Sequence, residues 1–249
     1  MEIRYESLLA ALIVAGAYLV GGRLAASETS ERFWTRRRYI SAAAGISVAY
    51  IFVDVLPELE LQRQVVVASA AGPKLLFAEQ QVYLLALLSF VVMYGLQHMV
   101  LVSRESRRAT VLAGRTDGVY WLQLGGYAAY SSLIGYLLVD RVERGALAIV
   151  AYTIAMAVHF LIVDHGLVEE HGGAYGSRGR WLLTASVIAG WALAVAAPLP
   201  EVLVARLFAV LAGGVVITSL RAELPDDRVG RFWPFCLAAL AFAIFLTMA

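Results

Sequence analysis

Most of the residues that could do chemistry in this chain lie in one stretch, residues 151–173. The stretch begins as an apolar segment and then carries three of the four histidines of the chain, together with three carboxylates. Its candidate ligands are His159, Asp164, His165, Glu169, Glu170 and His171. Imidazole nitrogens and carboxylate oxygens together can bind Zn²⁺, Mn²⁺ or Fe²⁺. These residue types therefore indicate a divalent metal site or the handling of protons.

The spacing of these residues limits which of them can act together on one helix. His165 and Glu169 are four residues apart and share a helix face. His159 lies about 140° around an ideal helix from Asp164, so one straight helix cannot direct both side chains at one ion. A kink or a second helix would have to complete the site. If the stretch binds a metal ion, we expect the ligands to be His159, Asp164, His165 and Glu169.

Both parts of the stretch also have a simpler interpretation. His159 has apolar neighbours and fits a buried neutral histidine with one hydrogen bond as well as it fits a functional group. The polar residues from Asp164 to His171 fit the water-facing end of a membrane span that two glycines then terminate. The sequence leaves these alternatives open.

The composition is typical of an integral membrane protein. The 249 residues are 61% hydrophobic and 16% charged, with a mean hydropathy of +0.74, whereas soluble domains are about 45–50% apolar and about 25% charged. A net charge of +1 gives no reason to expect nucleic acid as a partner. A single cysteine, Cys236, excludes an internal disulfide and a cysteine-based zinc site. We therefore expect the chain to lie in a lipid bilayer, and specifically in the plasma membrane of a prokaryote.

Eight apolar stretches are long enough to cross a bilayer, which needs roughly 20 residues per helix. They are approximately residues 7–22, 39–56, 80–102, 117–139, 145–167, 181–198, 202–220 and 232–248. The odd-numbered loops between them contain 14 Arg residues, and the opposite side contains five positive residues. Because positive residues are enriched in cytoplasmic loops, the odd-numbered loops are predicted to be cytoplasmic and both termini extracytoplasmic.

Two further pairs of residues are candidates for a substrate pathway. Asp54 and Glu58 share a helix face near the outer boundary of the second span, where they could attract cations or simply be solvated. Tyr127 and Tyr130 lie in the fourth span, which has no charged residue, and their hydroxyls could line a polar seam. The same span is rich in Gly, Ala and Ser, which also suits close helix packing.

Short motifs give the chain a resemblance to a known family. The second span ends in Asp-Val-Leu-Pro-Glu at residues 54–58, and the seventh ends in Ala-Glu-Leu-Pro-Asp at residues 222–226. The third span contains LLSFVVMYGLQHM, an apolar aromatic run followed by polar residues. With eight spans and both termini outside, the chain resembles the ZIP (Zrt-, Irt-like) family of divalent metal transporters. The resemblance implies a 3+2+3 inverted-repeat bundle, in which the outer helix triplets rock around helices four and five.

The chain departs from the ZIP pattern at the metal centre. That family builds a two-metal site from His-Asn-x-Pro-acid-Gly on helix four and His-acid-x-Pro-acid on helix five. Here residues 126–130 read Gly-Tyr-Ala-Ala-Tyr, and the fifth span keeps His159 but has Val163 before Asp164. The resemblance therefore implies a degenerate, single site rebuilt around His159, Asp164 and His165.

The resemblance predicts a divergent ZIP-like transporter for a divalent cation, with zinc as the first candidate and no organic cofactor. The alternative is a ZIP-fold protein that does not transport and acts as a membrane scaffold, sensor or partner subunit. A homodimer or a complex with a partner membrane protein is compatible with both. The chain lacks a credible nucleophile–base set, so we do not expect an enzyme. Oxygen or nitrogen atoms from another helix opposite His159 would favour the carrier, and apolar surroundings would favour the scaffold.

Overall fold

The computed structural model describes residues 2–25, 41–69, 79–109, 117–172, 175–222 and 232–248. Within these ranges the chain is helical apart from short turns, and it contains no strand. The helices are α1 (Glu2–Ala25), α2 (Ser41–Ser69), α3 (Gln81–Ala109), α4 (Asp117–Glu143), α5 (Ala146–His171), α6 (Gly176–Ala196), α7 (Glu201–Ala222) and α8 (Phe232–Thr247). The described part of each predicted span lies mainly on one of these helices, whereas residues 39–40 of the second predicted span lie outside the described residues.

Five of the described helices have segments long and apolar enough to cross a membrane. They are Ser41–Ser69, Gln81–Ser103, Ala146–His171, Arg178–Ala196 and Glu201–Leu220. In hydrocarbon every backbone amide needs an internal partner, and a continuous helix provides one. The prediction of a helical membrane protein is confirmed, whereas the number of crossings, the inverted repeat and the orientation stay predictions.

Two helices occupy the centre of the bundle. The most apolar segments of α5 and α7 are 56% and 61% buried, whereas that of α3 is only 17% buried. On α3 the exposed side chains include Leu84, Leu87 and Leu88, which suit contact with lipid. A polar residue on α5 or α7 is therefore more often enclosed by protein than one on α3.

The described helices pack as two groups. Group one contains α1, α4, α5 and α6, and group two contains α2, α3 and α7, with α8 packed against α2. This division does not test the expected 3+2+3 repeat, which stays a prediction. Glycine permits the close packing within each group: a Cβ added at Gly190 of α6 would lie 1.8 Å from the carbonyl oxygen of Ser132 on α4. One added at Gly213 of α7 would lie 1.9 Å from the carbonyl oxygen of Ala86 on α3.

Helix α2 contains a π-helical turn at Ile51–Val55. The amide of Leu56 bonds to the carbonyl of Ile51, five residues earlier. Pro57 follows directly; it has no N–H, and its ring would clash with the carbonyl four residues before it in a regular α-helix. The wider turn relieves this conflict, so α2 runs past its predicted end near residue 56 and reaches Ser69. Asp54 therefore lies on a turn of unusual geometry.

Candidate functional site

The centre of the bundle contains a polar cluster around His159, which is 1% exposed. Its Nε2 atom lies 3.1 Å from the Tyr130 hydroxyl of α4 and 3.3 Å from the Thr218 hydroxyl of α7. Its Nδ1 atom lies 3.5 Å from the hydroxyl of Ser219, also on α7. We call these four residues the His159 centre. It lies where α4 and α5 of group one meet α7 of group two.

The hydroxyl of Thr218 indicates which nitrogen of His159 carries a proton. Its Oγ1 atom lies 2.7 Å from the carbonyl oxygen of Gly214, and a hydroxyl has only one proton to donate. The Thr218 oxygen is therefore left to accept towards His159. In a hydrogen bond between Thr218 and His159 the donor is therefore the ring Nε2–H.

Helix α4 brings several buried polar residues onto one face. This face contains six residues, each three or four positions after the one before it, as expected for one side of a helix. They are Gln123, Tyr127, Tyr130, Ile134, Leu137 and Arg141. All six are buried, and they form what we call the α4 stripe. Two apolar residues, Ile134 and Leu137, separate the polar centre from Arg141. The stripe therefore places polar groups at both ends and in the middle of the bundle, with an apolar layer between the middle and one end.

The end of the bundle near residue 144, which the charge distribution predicts to be extracytoplasmic, is called the outer end. There Arg141 lies 3.5 Å from the Asp54 carboxylate and 3.9 Å from that of Glu58. Arg144 forms an ion pair with Glu58 and a second one, at 3.1 Å, with Asp140. We call these five residues the arginine–carboxylate cluster. The predicted pathway residues Asp54 and Glu58 are thus brought together, with two guanidinium groups against them.

The opposite, inner end of the α4 stripe makes hydrogen bonds to two neighbouring helices. The Gln97 amide of α3 donates to the Tyr127 hydroxyl at 3.2 Å. The Gln123 amide donates to the Glu170 carboxylate at 2.7 Å, and its oxygen bonds to the His171 ring. Tyr127 and Tyr130, the tyrosines predicted to line a pathway, therefore both face buried polar partners.

Asp164 lies in a separate cluster within group one. Its Oδ1 atom accepts from the Tyr175 hydroxyl at 2.7 Å and from Arg180 Nε at 2.8 Å. Its side chain is fully buried, and a Cβ at Gly21 of α1 would lie 2.8 Å from its Oδ2 atom. Burial, followed by the Asp164 charge, raises the pKa of the Tyr175 hydroxyl well above its ordinary value. The phenol consequently stays protonated and donates to Asp164.

His165 and Glu169 form a pair near the inner end of α5. The ring Nε2 atom of His165 lies 3.0 Å from the Glu169 carboxylate. The side chains are 22% and 65% exposed, which leaves the pair open to solvent. His165 and Glu169 therefore contact each other on one helix face, as their spacing predicts. The contact lies at the periphery of the bundle, where such a pair contributes little to stability.

The four predicted ligands do not come together as one site. His159 faces α4 and α7, Asp164 bonds to Arg180, and His165 pairs with Glu169. Throughout the described part of the chain, no three His, Cys, Asp or Glu residues gather closely enough to hold a metal ion. The reason is the angular offset on α5, which directs His159 and Asp164 to different neighbours. A divalent cation therefore stays a proposed substrate.

Several residues of these clusters were not identified from the sequence. Thr218 and Ser219 lie in an ordinary apolar span, and no local pattern distinguishes them. Arg141 and Arg180 fall in predicted loops, outside the predicted spans. One available signal was the spacing of the α4 stripe, which continues from Tyr130 through Ile134 and Leu137 to Arg141.

A comparison of the chain with models of known protein families and with curated proteins finds no match.

Proposed function

We propose that the protein is a ZIP-like membrane carrier for a divalent cation, with zinc as the first candidate, and that its substrate passes the His159 centre. The observation that carries this proposal is the set of oxygen atoms opposite His159. Tyr130 comes from α4 and Thr218 from α7, each within 3.3 Å of the ring. Polar and ionisable groups deep in a membrane bundle are costly and usually functional. A contact that only packs helices together does not require them.

The position of the His159 centre also suits transport. It lies between group one and group two, so a displacement of one group against the other would change which end of the bundle it faces. Asp164 lacks this property, because its partners Tyr175 and Arg180 and its neighbour Gly21 all belong to group one or to the turn that precedes α6. The proposed route therefore follows the α4 stripe and leaves Asp164 aside.

The chemistry of the centre favours weak and reversible cation binding. An imidazole nitrogen and three hydroxyl oxygens offer lone pairs but no negative charge. A carrier must release its substrate, so binding at the midpoint has to be modest. The carboxylates of Asp54 and Glu58 at the outer end would supply the attraction that selects a cation.

A non-transporting scaffold or sensor is the second candidate. It is favoured by the absence of a three-residue metal-ligand group among the described residues, and by the apolar layer of Ile134 and Leu137. In this function the His159 centre would only hold α4, α5 and α7 together.

Cation flux separates the two candidates. The purified protein is reconstituted in liposomes, and uptake of Zn²⁺ or Mn²⁺ is followed with an enclosed fluorescent indicator. We expect His159→Ala to reduce uptake at least tenfold. His98→Ala is the matched control, because His98 is an exposed histidine on α3 and stacks only against Tyr94 of its own helix among the ring contacts found. A wild-type protein without flux, or a His159→Ala variant with full flux, would contradict the carrier.

A further inference from the structure

The arginine–carboxylate cluster connects the two helix groups at the outer end. Two of its carboxylates, Asp54 and Glu58, belong to α2 of group two. The third, Asp140, and Arg141 belong to α4 of group one, and Arg144 lies in the turn after α4. Arg141 and Glu58 are almost fully enclosed, with side chains 5% and 7% exposed. A movement that separates the groups must therefore break this ionic connection.

Arg141 is held loosely, although it is buried. Its Nη2 atom lies 3.5 Å from Asp54 Oδ2, and neither atom makes a hydrogen bond to another described residue. Hydrogen bonds between charged groups are the strong, directional part of an ion pair, and this pair lacks them. The guanidinium instead packs over two rings, with its carbon 5.5 Å from the Tyr152 centroid and 5.2 Å from that of Phe208. If the carboxylate partner were removed, the guanidinium of Arg141 would still pack against these two aromatic rings.

The apolar layer beneath Arg141 lies between this residue and the His159 centre on α4. Ile134 is 0% exposed and Leu137 is 2% exposed. The Tyr152 hydroxyl donates to the backbone carbonyl of Ile134 at 3.0 Å and fixes α5 against this layer. A cation that enters from the outer end would have to pass both the cluster and the layer to reach the His159 centre.

The carboxylates of Asp54 and Glu58 are placed so that one ion could bind to both. Asp54 and Glu58 are four residues apart and share a face of α2. Asp54 lies on the π-helical turn, a rare geometry that occurs frequently at functional sites. A divalent cation brings twice the charge of a guanidinium and accepts oxygen ligands from both side chains.

We propose that Arg141 occupies the place of the incoming cation and keeps the outer end closed while no cation is there. A divalent cation that binds Asp54 and Glu58 displaces Arg141, and the two helix groups then separate above Ile134. This inference rests on the proposed carrier function. It differs from that function in what it predicts, namely that the cation opens the path before any cation crosses.

The test measures access to Ile134 rather than flux. In a Cys236→Ser background, Ile134→Cys provides a single thiol beneath the cluster. Sealed vesicles are treated with a membrane-impermeant maleimide from the outer end, and the labelling rate is measured. Mn²⁺ is used as the cation because it prefers oxygen ligands and binds a thiol weakly. We expect slow labelling without cation and at least tenfold faster labelling with millimolar Mn²⁺.

Variants of the cluster decide the cause. Arg141→Gln should label at the fast rate without Mn²⁺, because the ion pair that remains, between Arg144 and Glu58, includes an arginine side chain that is 32% exposed and contributes little. Arg63→Gln should behave like the parent, because Arg63 pairs with Glu60 outside the cluster. The double variant Asp54→Asn, Glu58→Gln should lose the response to Mn²⁺. If Arg141→Gln does not fold, the exchange variant Asp54→Arg, Arg141→Asp is used in its place. The exchange keeps one positive and one negative charge at these two positions, so labelling without Mn²⁺ should be slow.

The outcomes separate this inference from the carrier function. Slow labelling of folded Arg141→Gln, or a parent rate that ignores Mn²⁺, would overturn the gate and leave the flux result untouched. A response to Mn²⁺ that persists in the double carboxylate variant would also overturn it. A normal labelling response in a protein without flux would support the gate and contradict the carrier.

Discussion

Two buried polar residues on α5, His159 and Asp164, are five positions apart and have opposite surroundings. His159 is close to three neutral hydroxyls contributed by α4 and α7, at the boundary between the helix groups. Asp164 is bonded to a charged arginine and a tyrosine inside group one. The angle between the two side chains on α5 explains why they meet different partners. The difference teaches that ionisable residues in one apolar helix can divide between the boundary of two helix groups and the interior of one group.

The largest expected effect is on stability, and it comes from Asp164. Asp164→Ala leaves Arg180 without its carboxylate and the Tyr175 hydroxyl without its acceptor. Breaking one partner of a buried ion pair costs about 3–5 kcal/mol, and the figure here lies at the lower end because Arg180 is 18% exposed. Thermal unfolding in detergent measures the loss. A variant as stable as the wild type would show that this cluster does not hold group one together.

The next effect comes from the space that Gly21 leaves for Asp164. Gly21→Ala places a methyl carbon 2.8 Å from Asp164 Oδ2, so the carboxylate must shift against its partners. We expect a loss of about 1–3 kcal/mol, as for other overpacked sites. Gly16→Ala is the matched control on the same helix, because a Cβ there meets nothing within 4 Å. Equal unfolding temperatures for both variants would contradict the packing described for Asp164.

The smallest effect on stability is expected at the His159 centre. Tyr130→Phe removes the hydroxyl 3.1 Å from the ring but keeps the aromatic body. Hydrogen bonds between membrane helices contribute about 0.6 kcal/mol on average, so unfolding should hardly change while cation uptake falls. A loss comparable to that of Asp164→Ala would indicate that the centre is structural.

The sequence was sufficient for the helical class and for part of the site. Continuous apolar runs predict membrane helices, and the angular offset on α5 predicts that His159 and Asp164 diverge. The sequence also identified Tyr130 as a pathway candidate, and the structure puts its hydroxyl beside His159.

The remainder depends on which helices are neighbours, which spacing along one helix does not reveal. Thr218 reaches His159 from 59 residues away, and Arg141 is enclosed because α2, α5 and α7 cover it. The 3+2+3 arrangement is implied by a family resemblance and stays a prediction. The observed grouping depends on close glycine contacts such as that of Gly190 with Ser132.

The central claim is that His159 serves transport whereas Asp164 serves the fold. Cation uptake into liposomes, divided by the amount of folded protein, tests it directly in His159→Ala and Asp164→Asn. The account predicts that His159→Ala folds like the wild type and loses at least tenfold in uptake per folded molecule. It predicts that Asp164→Asn yields less folded protein, which transports at nearly the wild-type rate. The reverse pattern, with His159→Ala active and folded Asp164→Asn inactive, would contradict it.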